Sequence, residues 1–236
     1  RLPFRKEFAM ATVANRHDVS PDDMIQRAID LGPMIEDRAD ETEHYRRVSD
    51  DIIGELREQD FFRMYQPKKF GGLEFDSTTV MRCSLEFSTA DASTGWVCGL
   101  GIVHQWLIAQ FPLQCMEDVW GDNPGAIACG SYAPSGECVA VEGGWRVTGE
   151  YYFASGVDIA DWAILGLFFP AEKEGDPPTP GFALAPKADY AVDDNWEVMG
   201  LTGTGSKCIV CRDMFVPAHR RVSFADRDTE PQPPPG

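Results

Sequence analysis

His104 follows Trp96 by eight residues in an apolar stretch, Asp91 to Leu107, whose periodicity is helical. At 3.6 residues per turn the two side chains lie roughly 80° apart around the axis, so they can line adjoining walls of one cavity. A histidine there can act as acid or base near neutral pH; the structural alternative is a core imidazole satisfied by a backbone carbonyl. Ser155, in Tyr152-Phe-Ala-Ser-Gly156, can hydrogen-bond a ligand or close a β-turn ahead of the glycine. Ser131, after Gly130, is a second such hydroxyl at a strand end. The run Gly200-Leu-Thr-Gly-Thr-Gly-Ser206 can present backbone N–H groups and the hydroxyls of Thr204 and Ser206, or serve as a glycine-rich turn. Cys208-Ile-Val-Cys211 has the spacing of a redox or zinc half-site. Its surroundings are strand-like, however, and residues three apart on a strand face opposite ways, so the thiols would not converge and no metal is expected.

The elements that must carry these residues divide in two. Ser20-Pro21-Asp22-Asp23 supplies an N-cap, a first-turn proline and acids, and Met24, Ile25, Ala28 and Ile29 follow at helical spacing. Gly32-Pro33 is expected to break that helix. A second helix is expected from about Pro33 to Val48, and a third from about Asp50 to Phe61-Phe62. After the loop Gln66 to Gly72, Asp76 can cap a fourth helix and Asp91 a fifth. The fifth is apolar on nearly every side, which predicts a central position.

Past Asn123-Pro-Gly125 the periodicity changes to short runs rich in β-branched and aromatic residues between Gly and Pro turns. These are 126–131, 137–141, 145–154, 162–169, 182–185 and 207–216. They predict an antiparallel β domain, with a hairpin turn at Glu142-Gly143-Gly144 and an exposed loop over 172–180. The fold class is therefore α+β. A helical domain over 1–122 precedes a middle β domain over 123–225, and 226–236 has the composition of a linker.

Composition narrows the function classes. At 43% hydrophobic and 25% charged the chain is globular, and 236 residues can bury a substantial core. Lys plus Arg is 21 against 38 for Asp plus Glu, a net charge of −17, so nucleic acid and membrane surfaces are poor partners. The longest apolar stretch, Trp162 to Pro170, is about half the roughly 20 residues needed to cross a bilayer and reads as a buried strand. Seven cysteines scattered in apolar segments fit reduced core residues. Arg1-Leu-Pro-Phe-Arg-Lys-Glu shows no secretory signal, and its lack of Met points to an upstream start; the cytoplasm is the expected compartment.

Taken in order, Tyr65-Gln-Pro-Lys-Lys-Phe-Gly-Gly72, Ala90-Asp-Ala-Ser-Thr-Gly-Trp96, His104, Tyr152-Phe-Ala-Ser-Gly156 with Ala160-Asp-Trp162, and Gly200 to Ser206 ahead of Phe215-Val-Pro-Ala-His-Arg220 resemble the acyl-CoA dehydrogenase superfamily. Within it the chain is similar to the oxygenase components of two-component flavin-dependent monooxygenases, the group of the 4-hydroxyphenylacetate hydroxylases. The resemblance implies a helical domain, a β-barrel-like middle domain and a C-terminal four-helix bundle, the last absent from this sequence, and a homotetramer.

It also implies a chemistry. Reduced FMN or FAD, delivered by a separate NAD(P)H:flavin reductase, would react with O2 to give a flavin C4a-hydroperoxide that hydroxylates a phenolic or other aromatic substrate. Such a site needs a water-poor pocket, a hydrogen-bonding group at the flavin N5 edge and a group that activates the substrate. By resemblance Ser155 serves the N5 edge, His104 faces the phenol and accepts its proton, Trp96 packs on the flavin, and Ser131, Thr204 and Ser206 lie near flavin or substrate. Thr202 stands where relatives commonly have a basic residue, which weakens the case for an anion contact at that loop. Two other functions remain open on the sequence: an acyl-CoA dehydrogenase-like oxidoreductase using a carboxylate base, and a non-catalytic relative kept for binding or assembly.

Overall fold

The computed structural model describes residues 19–171, 173 and 175–223. The proposed linker at 226–236 lies outside them. Among the described residues six α-helices come first: α1 (Pro21–Asp37), α2 (Ala39–Tyr45), α3 (Asp50–Glu58), α4 (Ser77–Ala90), α5 (Ala92–Ile108) and α6 (Leu113–Trp120). Eight strands follow: β1 (Ala128–Ser131), β2 (Glu137–Val141), β3 (Gly144–Ala154), β4 (Trp162–Phe169), β5 (Thr179–Pro186), β6 (Ala191–Asp193), β7 (Lys207–Pro217) and β8 (Arg221–Ser223).

Caps set the helix starts as the sequence foretold. Ser20 and Asp23 form a reciprocal capping box, Asp76 accepts from the Thr78 and Thr79 amides, and Asp91 accepts from the Thr94 amide at 2.7 Å. Two helix ends differ from expectation. Pro33 does not break α1, which continues to Asp37. The proline leaves the Ile29 carbonyl without its partner, but Ile29 is exposed, so water can take that carbonyl while Leu31 and Ile35 stay buried on either side. The second helix consequently begins at Ala39 rather than Pro33, and it stops at Tyr45 because Arg46 turns left-handed (φ 55°). There its guanidinium makes paired bonds to Asp194 of 2.7 and 2.8 Å. α3 ends at Glu58, not at Phe61-Phe62; Asp60 turns left-handed and a 3-10 turn follows over Phe61–Arg63. α6 was not foreseen.

α4 and α5 are separated only by Asp91 and cross closely at Gly95. A Cβ there would stand 2.5 Å from the Ser88 Cα and 2.6 Å from its backbone nitrogen. Gly54, inside α3, has open space where its Cβ would be. Gly54→Ala should therefore stabilise the protein by about 0.5–1 kcal/mol through helix propensity. Gly95→Ala should destabilise it by about 1–3 kcal/mol, since backbone must move apart. Urea unfolding of the two variants checks the opposite signs.

The strands form two four-stranded sheets, ordered β1-β4-β5-β8 and β2-β3-β7-β6. The expectation of a purely antiparallel domain is corrected in one place: β1 pairs with β4 in parallel, Ala128 opposite Trp162. The return from β1 to β4 passes through the β2–β3 hairpin of the other sheet, which lets both strands run the same way. That hairpin turns at Glu142-Gly143, with Gly143 at φ +79°.

β4 is buried on both faces and sorts its side chains by alternation. Ala163, Leu165 and Leu167 pack toward Val147, Tyr151 and Ile209 of the second sheet. Trp162 and Ile164 pack toward Leu107, Ile108 and Trp120 of α5 and α6. α5 and α6 thus lie against the outer face of the first sheet. A separate core, including Met24, Leu56, Phe61, Phe87 and Ile102, holds the helices to one another. β7 carries both Cys208 and Cys211, and all seven cysteines are free thiols. No described helix is long and apolar enough to span a membrane.

Candidate active site

α5 presents Trp96 and His104 to different neighbours. The Trp96 ring is half exposed, and its indole N–H donates to Ser155 Oγ at 3.0 Å. Ser155 is delivered there by an irregular strand end. The β3–β7 register shifts between Tyr151 and Ala154, and Phe153 takes a left-handed φ of 62°, an unfavourable conformation for a side chain of that size. Gly156 then turns at φ +74°; its N–H donates to the Thr204 carbonyl, and its α-carbon approaches Val97 so closely that a Cβ would stand 3.1 Å away. Only glycine suits both demands.

Ser155 Oγ stands 2.7 Å from Ser206 Oγ, which stands 2.7 Å from Thr204 Oγ1, which donates to the Leu201 carbonyl at 2.9 Å. Trp96, Ser155, Ser206 and Thr204 therefore form one hydrogen-bonded chain. The loop supplying it is a 3-10 turn, Thr202–Thr204, flanked by left-handed Leu201 and Gly205. Charges clamp it: buried Lys207 reaches Asp158 at 2.9 Å and Asp194 at 3.5 Å, and Asp194 also holds Arg46. Gly203 sits so tightly on Thr42 and Ser93 that a Cβ would meet both. The Thr204 and Gly205 amides are spent within the turn, so hydroxyls rather than these N–H groups are what the loop offers.

His104 belongs to a second cluster. It is buried, with Nδ1 2.6 Å from the Ala128 carbonyl. A carbonyl only accepts, so Nδ1 carries the hydrogen and Nε2 is left as an acceptor. Burial pulls the imidazole pKa down to about 4, the bond to Ala128 opposing it, so the ring is neutral at physiological pH. Nε2 makes no hydrogen bond among the described residues and faces Gly130, where a Cβ would stand 3.1 Å away, and the Tyr132 ring, whose centroid is 5.7 Å from the imidazole. The core-histidine alternative thus accounts for one ring nitrogen and leaves the other free. Ser131, in the same strand, spends its proton on the Tyr152 carbonyl at 2.7 Å; it ties the two sheets together and can offer a ligand only lone pairs.

Four of the six expected site residues are thus in one hydrogen-bonded chain, whereas His104 on α5 and Ser131 on β1 bond elsewhere, to the Ala128 and Tyr152 carbonyls. The sequence reading missed Tyr132 and Leu201. Tyr132, whose phenol is pushed by burial up to about 12, walls the Nε2 side of His104; the small Gly130 two residues earlier was the available signal. Leu201 acts through its backbone, which no side-chain pattern reveals.

An isoalloxazine ring needs an apolar face and hydrogen-bonding groups at its edge. The exposed face of Trp96 beside the Ser155 hydroxyl, which retains a lone pair, fits both needs. The chain is similar to known proteins over most of its length. Residues 11–114 match the family described as "Acyl-CoA dehydrogenase, N-terminal domain". The FADH(2)-dependent resorcinol hydroxylase, oxygenase component, of Rhizobium sp. (strain MTP-10005) is 41% identical over 203 residues, covering 86% of this chain and 49% of that protein. The crystal structure of the HsaA monooxygenase from M. tuberculosis superposes with a TM-score of 0.84 at 36% identity, over 88% of this chain and 54% of that one. XiaF from Streptomyces sp., in complex with FADH2 and glycerol, gives 0.81 at 32% identity, over 86% and 51%. The chain spans about half the length of the curated relatives it matches. Residues 11–114 thus carry the N-terminal domain of the acyl-CoA dehydrogenase family, and over most of its length the chain is similar to the oxygenase components of flavin-dependent monooxygenases.

Proposed function

We propose that the whole protein is the oxygenase component of a two-component flavin-dependent monooxygenase, hydroxylating a phenolic or other electron-rich aromatic substrate with reduced FMN or FAD, O2 and a separate NAD(P)H:flavin reductase. The observation that carries this reading is the free Nε2 of a buried, neutral His104 on the same helix as the half-exposed Trp96 and its Ser155 bond. A reduced flavin supplies two electrons, with which O2 gives one oxygen atom to an aromatic ring and the other to water.

The protein's share is positioning, proton handling and exclusion of water. Trp96 offers an aromatic face for the flavin, and Ser155 hydrogen-bonds its edge. Ser206 and Thr204 hold Ser155, and Ser131 keeps β1 against β3. His104 accepts the hydrogen bond of a phenol O–H at Nε2, which makes the ring more electron-rich; Ala128 fixes the tautomer that allows it. Tyr132 closes the wall beside them.

Exposed Met81 and Leu85 on α4 and Trp106 on α5 are apolar surface of the kind buried in an assembly, which supports a homotetramer in the whole protein. The cytoplasm is the compartment that fits this chemistry.

The test is electron supply. Full-length protein given flavin, O2 and a phenol should form product only when a reductase or chemically reduced flavin is added. NADH oxidation by the protein and flavin alone, at the rate of product formation, would overturn the two-component reading.

A further inference from the structure

The hydroxyl chain has a direction that hydrogen counting fixes. A serine or threonine hydroxyl has one proton to give and two lone pairs; a carbonyl has only lone pairs and an indole N–H only a proton. Thr204 Oγ1 lies 2.9 Å from the Leu201 carbonyl oxygen, a separation that requires a proton between them, so the Thr204 proton is spent there. Leu201 O is itself anchored by the Thr204 amide at 3.1 Å and the Trp196 indole at 3.3 Å. Ser206, 2.7 Å from Thr204 Oγ1, must then donate to it. Ser155, 2.7 Å from Ser206, must in turn donate to Ser206. At the far end Trp96 Nε1 donates to Ser155, which leaves Ser155 one lone pair and no proton.

We propose that the Leu201 carbonyl, through Thr204 and Ser206, holds Ser155 as an acceptor only, and that this makes the site select reduced over oxidised flavin. The inference rests on the flavin reading above. The chemical ground is that reduction turns N5 of the isoalloxazine from a lone-pair acceptor into an N–H donor. A hydroxyl free to rotate serves either form equally; one with its proton committed serves the donor and sets lone pair against lone pair with the acceptor. Thr204 and Ser206 are then positioning residues that touch no ligand and set a redox preference. The charge clamp of Arg46, Asp158, Asp194 and Lys207 around the loop gives that direction a rigid support.

The test is flavin affinity in the full-length protein, measured anaerobically for reduced and oxidised FMN and FAD by fluorescence, without turnover. Wild type should bind the reduced form at least tenfold more tightly, which for a two-electron couple corresponds to raising the bound flavin's midpoint potential by about 30 mV. Thr204→Val keeps the side-chain shape but removes the chain's anchor, so Ser206 can turn its proton to Ser155 and free the Ser155 proton. Ser206→Ala frees it directly. Both should lower the preference about tenfold, mainly by strengthening oxidised-flavin binding, while Thr204→Ser should keep the wild-type ratio. Variants that weaken both forms equally, or that leave the ratio unchanged, would overturn the inference with the flavin reading intact. If wild type binds neither form, the flavin reading itself falls and takes the inference with it.

Discussion

Replacing His104 with alanine in the full-length protein should lower hydroxylation of a phenol by two to four powers of ten near neutral pH, with flavin affinity little changed. The size follows from what Nε2 can do. With a pKa of about 4 the resting imidazole is too weak a base to ionise a phenol of pKa near 10, so in the bound ground state it only accepts a hydrogen bond. As the ring gives electrons to the incoming oxygen, the phenol O–H becomes strongly acidic, and a weak base already in place can then take the proton. That assistance exists only in the transition state, so it should appear in kcat rather than in substrate binding. It should also fade as pH approaches the phenol's own pKa, because a phenolate needs no base. Product yield and hydrogen peroxide yield, followed from pH 6 to pH 10 with reduced flavin supplied, check this. Equal yields from wild type and His104→Ala across that range would return His104 to the role of a core residue holding Ala128.

How much of this was legible beforehand depended on whether the signal was local. The capping residues Ser20, Asp76 and Asp91 act on amides two or three residues away, and the helices they start were readable. The runs 137–141 and 162–169 coincide with strands for different local reasons: the second is a continuous apolar run buried along nearly its whole length, whereas the first, largely exposed, is set by the tight turn at Gly143 that pairs it with β3. Pro33 misled because its effect depends on whether the freed carbonyl meets water, a tertiary fact. Arg46 ends α2 through Asp194, 148 residues away. β6 and β8, three residues each, carry too little pattern to announce themselves, and the parallel β1–β4 pairing is a matter of topology.

The site divides the same way. The residue types at 96, 104, 131, 155, 204 and 206 were visible, together with the resemblance that gave them roles. Roughly 80° of helix rotation allows Trp96 and His104 to line adjoining walls of one cavity; what it could not give is their partners, Ser155 for one and Ala128, Gly130 and Tyr132 for the other. Which hydroxyl donates to which was not legible, since it hangs on a backbone carbonyl brought into place by two left-handed residues, Leu201 and Gly205.

The same imidazole should also give the fold a measurable sensitivity to acid. In the unfolded chain His104 should titrate near its usual 6.5, whereas in the fold burial lowers it to about 4. Between those values the unfolded state binds a proton that the native state does not, so stability rises with pH through the window and is lost as pH falls through it. Above about 6.5 both states are neutral and the full contribution is present. Descending to 4 removes roughly 2.5 pH units' worth, about 3 kcal/mol or two powers of ten in the folding equilibrium. His104→Gln removes the titration while leaving an amide to donate to the Ala128 carbonyl. Although the variant should be less stable at pH 7.5, its urea midpoint should fall less steeply between pH 6.5 and 4.5 than that of the wild type. Native carboxylates with lowered pKa values, such as Asp76 and Asp118, act at lower pH and equally in both proteins, so the difference isolates the histidine. A direct reading is the His104 ring resonance, which should stay in its neutral position through pH 5. Parallel pH curves for the two proteins, or a ring that protonates near 6.5, would show that His104 is hydrated in the native state. In that case the water-poor pocket that the proposed role of His104 requires does not exist.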